Sequence, residues 1–208
     1  MSTLAELKTR IITKLNRDDM GSGGDLETIL ADAISESIDF YANEQFWFNR
    51  KSGTANTVGA VATVALPTGM RIPHTVSYLQ QALTKVDLSE IEYLTDTGIP
   101  TRWAENGGAI QLWPTPDGVY ALSVQGIADL GVPVTTNAWT TEAAALIGAA
   151  TRINLYRDVL RDDGGEAAAS RAEARALAYL RAETRRRRER PLRVRDLTVQ
   201  RFNINRGW

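Results

Sequence analysis

The chain has 208 residues, of which 43% are apolar, 24% charged and 7% aromatic, with a formal net charge of −1, the balance of a folded globular protein and not of a disordered or fibrous one. It contains no cysteine, which excludes thiolate catalysis, iron–sulfur clusters, Cys-bearing zinc sites and a disulfide-stapled secreted scaffold. The charge is segregated: residues 1–180 hold 14 Lys and Arg against 22 Asp and Glu, a net of −8, whereas residues 181–208 hold 10 Arg against three acids, a net of +7.

At the N-terminus, Thr3-Leu4-Ala5-Glu6 is a capping-box pattern, and Leu4, Leu7, Ile11, Ile12 and Leu15 follow at helical spacing, so a short amphipathic helix is expected. Residues 16–24 are turn chemistry. Asp25 can then cap a second helix whose apolar positions Leu26, Ile29, Leu30, Ala33, Ile34, Ile38 and Tyr41 keep period 3.6. The cluster Phe46-Trp47-Phe48 reads as a core-edge anchor.

From about Thr54 to Gly126 the period changes to two, in short runs broken by Pro67-Thr68-Gly69, Asn106-Gly107-Gly108 and the segment Pro114-Thr115-Pro116-Asp117-Gly118. Residues 101–104, 109–113 and 119–125 are expected to form an antiparallel meander, with Tyr120, Leu122 and Val124 on one face; a helical turn near Leu88 to Leu94 is a weaker expectation. Thr140 or Thr141 then starts a third helix, with Ala143, Leu146, Ile147, Ala150, Ile153 and Leu160 on one stripe. Asp162 to Gly165 reads as a turn. Residues 166–188 form an Ala-rich fourth helix with a narrow face of Ala169, Ala172, Ala176 and Leu180, closed by the run Arg185 to Arg188, whose charge suits a helix C-terminus. Pro191 ends it.

The expected fold class is α+β: mainly an α-helical bundle of about four helices with an inserted antiparallel β-region and an extended C-terminal arm. The divisions are 1–50 for a helical hairpin, 51–137 for the β-region, 138–188 for the returning helices and 189–208 for the arm. No apolar run approaches the ~20 residues of a membrane-spanning helix, and residues 1–10 lack a basic-then-apolar signal pattern. A soluble protein without a membrane partner is expected.

No enzyme pattern rises above background. His74 is the only histidine, so every imidazole-based triad or zinc set would depend on it, and a structural or exposed histidine is the expected reading. A position inside a concave pocket with convergent polar groups would reopen the enzymatic one. Gly21-Ser22-Gly23-Gly24 lacks the Gly-Lys-Ser/Thr ending of a P-loop and the dinucleotide spacing, so it reads as a flexible turn. Asp18, Asp19, Asp25 and Glu27 lack EF-hand spacing. Glu90 and Glu92 read as a solvated strand face, not as a carboxylate pair. No catalytic residue, metal site or cofactor is assigned.

The informative segment is the tail. Arg185, Arg186, Arg187, Arg188, Arg190, Arg193, Arg195 and Arg201 are interleaved with Leu192, Val194, Val199, Phe202, Ile204 and Trp208, too short and too charged to form a core alone. Such a segment can add main-chain hydrogen bonds to a strand edge, insert apolar side chains into pockets and pair arginines with carboxylates. At ~3.3 Å per residue the stretch from Pro191 to Trp208 spans about 60 Å. Three readings compete: packing over the acidic body, phosphate binding, or docking on a protein partner. The third is favoured because the aliphatics persist through the arginine-poor end, and a pure phosphate binder has no need of them.

In order, the stretches Thr3 to Lys8 with Leu15 to Asp19, Ala33-Ile34 through Phe40-Tyr41, Phe46 to Asn49, Gly98 to Thr101, Gly107-Gly108, Ile110 to Gly118, Tyr120 to Val124 and Glu142 to Leu160 resemble the head-to-tail connector, or adaptor, proteins of tailed bacteriophages and gene transfer agents. The resemblance covers roughly residues 3–160; the remainder matches by character alone. It implies a helical bundle with an inserted β-region, assembled as a ring of twelve copies between the portal protein and the tail component, docked on the portal through its C-terminal extension. It implies a place in the virion neck, after assembly in the host cytoplasm, with DNA passing through the channel without specific binding. The alternative is a nucleic-acid-binding accessory protein acting through the basic tail.

Overall fold

The computed structural model describes residues 3–17 and 25–188. In chain order these form α1 (Leu4–Leu15), α2 (Asp25–Tyr41), a 3-10 turn (Trp47–Asn49), β1 (Arg50–Asn56), β2 (Thr63–Ala65), β3 (Met70–Tyr78), β4 (Gln81–Ala82) and β5 (Thr84–Lys85). Then come α3 (Leu88–Ile91), β6 (Thr97–Gly98), β7 (Arg102–Asn106), β8 (Ala109–Trp113), β9 (Thr115–Pro116), β10 (Ala121–Ala128), α4 (Ala138–Thr141), α5 (Ala144–Asn154), a π-helical segment (Leu155–Leu160) and α6 (Asp163–Arg188).

The helix starts follow local chemistry. The Thr3 hydroxyl accepts from the Glu6 N–H at 3.1 Å while the Glu6 carboxylate accepts from the Thr3 N–H at 3.3 Å, closing the capping box that opens α1 and turning Leu7, Ile11 and Leu15 inward. α2 begins with Asp25 and Glu27 in its first turn and buries Leu30, Ala33, Ile34, Ile38 and Tyr41. The single helix expected from Thr140 is instead interrupted. Asn137 caps the short α4, accepting from the Trp139 N–H at 2.9 Å, and α5 restarts at Ala144 before passing into the π segment. α6 begins three residues before the expected Glu166, because the Asp162 carboxylate accepts from the N–H groups of Gly164 and Gly165 at 3.0 and 3.1 Å. The expected turn is thus the first helical turn. A Cβ on Gly165 would lie 2.4 Å from the Tyr156 ring, so glycine here permits close packing of α6 on the π segment.

The strands form three sheets, in the orders β1-β10-β3-β4, β2-β8-β7-β5 and β6-β9. β7 and β8 pair antiparallel as expected, Arg102 opposite Trp113 through Asn106 opposite Ala109. The third strand of the expected meander does not join them. β10 lies in the other large sheet, between β1 and β3, with Ser123 opposite both Thr54 and Ser77. The intervening Pro114–Gly118 is not a hairpin turn; it carries β9, which pairs in parallel with β6 and moves the chain between sheets. Leu122 and Val124 nevertheless lie fully buried on one face of β10, with Tyr120 packed beside them.

The expectation of a mainly helical bundle with a β insert is overturned. Among the described residues there are six α-helices and ten strands, a mixed α+β fold. The physical reason is that the strands close their own core, built on Val64, Val76, Trp103, Ile110, Leu112, Leu122 and Val124, and do not depend on the helices for burial. The helices enclose a second core of Leu7, Ile11, Leu30, Ile34, Ile38, Phe46, Trp139, Leu146, Ile147, Leu155 and Leu180. No described helix is long and apolar enough to cross a membrane.

Candidate functional site

The last turns of α6 return to the corner where α2 hands the chain to β1. That corner is rigid for identifiable reasons. Asn49 is fully buried; its amide oxygen accepts from the Phe46 N–H at 2.8 Å and its NH2 donates to the Glu44 carbonyl at 2.8 Å. Phe46 and Phe48 stack at 5.3 Å, and Trp139 of α4 meets the Phe48 ring edge-on at 5.3 Å, so the aromatic anchor is held from both ends of the helical layer.

α6 is fastened to this corner step by step. The Tyr41 hydroxyl donates to the Glu173 carboxylate at 2.6 Å, and Arg181 pairs with Glu44 through two bonds of 2.6 and 3.1 Å. Glu183, only 9% exposed, accepts from Arg186 twice at 2.8 Å and from Arg187 at 2.7 Å. Hydrogen bonds from these two guanidiniums hold its pKa down to about 2. Arg187 also lies over the Trp47 ring, 4.6 Å from its centroid, and Arg188 donates to the Gln45 side-chain oxygen.

The four described residues of the expected docking segment are therefore not equivalent. Arg186 and Arg187 spend their guanidiniums on Glu183 and Trp47, Arg188 turns to Gln45, and Arg185 is exposed. Sequence reasoning treats all four as available to a partner; Glu183, three and four residues upstream on the same face, is the counter-charge it overlooks. Arg190, Leu192, Arg193, Val194, Arg195, Val199, Arg201, Phe202, Ile204 and Trp208 lie outside the described residues.

Between the α6 terminus and the first sheet lies a groove of about 550 Å³, bounded by Gln45, Trp47, Arg50, Lys51, Ser52, His74, Thr75, Gln125, Gly126 and Arg188. Its floor follows from strand register. Ser52, Gln125 and Thr75 stand opposite one another on β1, β10 and β3, all exposed, whereas the next residues in register on β10 and β3, Val124 and Val76, point into the core. At Gly126 the ladder shifts register, and a Cβ there would lie 2.0 Å from the Ile72 carbonyl oxygen, so only glycine lets β10 pass β3 so closely.

His74 thus lies on a concave polar surface, the position that would reopen an enzymatic reading. No carboxylate lines the groove to orient the imidazole, and no hydrogen bond joins His74 to Ser52 or Thr75 among the described residues. Partial desolvation, then the charges of Lys85 and Arg188, lower its pKa below the ordinary 6.5 against the opposing pull of Glu105.

The other candidates separate. Glu90 lies on α3 and Glu92 caps it, so the pair belongs to a helical turn, not to a strand, and residues two apart on a helix do not face each other. Glu27 pairs with Lys8 at 3.3 Å. Asp18, Asp19 and Gly21 to Gly24 lie outside the described residues, and within those described no group of three metal-ligating acids or histidines converges.

No curated protein matches the chain. A family model described as SU10 adaptor protein matches residues 2–195, well past residue 160, where the sequence resemblance stops. That span includes the whole α6 arginine run together with the corner that anchors it, and the chain accordingly belongs to the SU10 adaptor family, the phage head–tail adaptor proteins.

Proposed function

We propose that the protein is a structural connector in the virion neck, assembling side by side with copies of itself into a ring, twelve in number, between the portal protein and the tail component. In this reading residues from Arg185 onward dock on the portal, and the ring surrounds a channel through which DNA passes without sequence-specific binding. The observation that carries it is how α6 ends: its last turn is tied to the body through Trp47 and Gln45, so the helix end that precedes the arm is a fixed point. A fixed departure point favours docking through repeated weak contacts, because closure of a ring converts each further contact into an intramolecular one.

The proposed role is structural, as the adaptor family suggests. The second reading, nucleic-acid binding through the tail, is weakened for residues 185–188 by Glu183, which already neutralises two of the four arginines. Deletion of residues 189–208 should leave a folded body that no longer sediments with isolated portal rings. Undiminished association would remove the arm from the mechanism. For the second reading, a deletion that abolishes DNA binding while leaving portal association intact would decide in its favour.

A further inference from the structure

We propose that the groove between the α6 terminus and the first sheet binds the phosphodiester backbone of DNA, with Arg50 and Arg188 meeting phosphates and Ser52, Thr75 and Gln125 donating hydrogen bonds between them. The inference goes beyond the connector reading and does not rest on it.

Two arginines from distant parts of the chain, Arg50 on β1 and Arg188 at the end of α6, line a single groove in which no carboxylate appears among the described residues. Neither has an ion-pair partner among the described residues; Arg188 donates to the neutral Gln45 side chain. Lys51, the next residue on β1, turns to the opposite face of the sheet, where its ammonium lies close over the backbone at Gly69, and takes no part in the site. The remaining wall is neutral and rich in donors. Phosphate recognition needs cations and N–H or O–H donors and little else.

An acidic peptide offers the same charge but needs apolar anchors for affinity. Among the described residues the groove offers Trp47, one face of which is covered by Arg187, and a sheet floor of Ser52, Thr75 and Gln125.

His74 makes the proposal directly measurable, because it is the only histidine in the chain and lies on the groove wall. Lys85, Arg188 and Glu105 are the charges it feels in the free protein. A phosphate brought in beside it favours the imidazolium, so its pKa must rise. The experiment follows the single imidazole resonance of the full chain by NMR across a pH series, with and without a short DNA duplex, alongside anisotropy of the labelled duplex over a salt series. The expected results are an upward shift of the His74 titration with DNA and a log–log salt slope that falls in magnitude by about 0.9, one phosphate no longer neutralised, in the Arg50→Ala variant. Gln125→Glu, which puts a carboxylate on the floor, should weaken binding without touching either cation, provided its thermal melt matches the parent.

Duplex binding that leaves the His74 titration unmoved would overturn the proposal by assigning the binding to the tail. A shift produced by inorganic phosphate but not by the duplex would overturn it in favour of a small-anion site, and one produced by a polyglutamate peptide alone in favour of a protein partner. Portal association should be unchanged in Arg50→Ala, so this failure and that of the connector reading are separable.

Discussion

Replacing Gly126 with alanine tests the packing that shapes the groove. The added Cβ would lie 2.0 Å from the Ile72 carbonyl oxygen and 3.0 Å from the Pro73 Cα, where ordinary contact begins at 3.4 Å. Both obstacles are backbone, so no rotamer change relieves them, and β10 must move off β3 by more than about 1 Å at the register shift. Overpacking of this kind costs roughly 1–3 kcal/mol, and each ladder hydrogen bond lengthened out of range about 1 kcal/mol more. A total of about 3 kcal/mol corresponds, for a chain of this size, to a Tm lower by about 6–12 °C. Gln125→Ala, on the exposed face of the same strand, should leave Tm within about 2 °C. Differential scanning calorimetry of the two variants decides the matter: a Gly126→Ala protein melting with the parent would refute the close approach of β10 to β3 and the groove floor derived from it.

Other outcomes follow from single interactions. Thr3→Ala removes the α1 cap and should cost about 1 kcal/mol, read as a small drop in urea unfolding midpoint. Tyr41 is buried, and desolvation followed by its hydrogen bond to Glu173 raises its pKa well above 10. The folded state therefore holds the phenolic proton more tightly than the unfolded one, so this contribution is complete below pH 10 and lost as pH climbs through the folded value; Tyr41→Phe should flatten the alkaline end of a stability–pH profile. Glu183 has the opposite sign. Its folded pKa of about 2 lies under the ordinary 4.5, so the stability it gives is present above that value and disappears as pH falls toward 2. Protease cleavage near Arg185 to Arg188 should accelerate over that window in the parent, whereas in Glu183→Gln it should be fast at neutral pH already.

The helical elements are largely legible in the linear order because their determinants are local. The capping box at Thr3 and Glu6, the stripes ending at Leu15 and Tyr41, and the Leu146-Ile147-Ala150 face all depend on neighbours within a turn or two. Where local signals mislead, a distant or unconsidered partner decides. Gly164-Gly165 reads as a turn until the Asp162 carboxylate and the Tyr156 ring are placed around it. The β7–β8 hairpin is legible from Asn106-Gly107-Gly108, but nothing in Pro114 to Gly118 reveals that β10 pairs with β1 and β3, more than forty residues away from its predecessor in register.

By itself, the order of amino acids established the alternation of periods, the cysteine-free chemistry, the acidic body with its basic end, and the arginine run as the segment of interest. Only the tertiary structure decided how those arginines are used, because a counter-charge acts through space: Glu183 takes two of them, Trp47 caps one from more than a hundred residues upstream, and Arg188 reaches Gln45. The groove is wholly a product of folding. Arg50, Ser52, His74, Thr75 and Gln125 carry no common spacing along the chain, and they share a wall because antiparallel register and a glycine at the ladder shift bring three strands and one helix end to the same place.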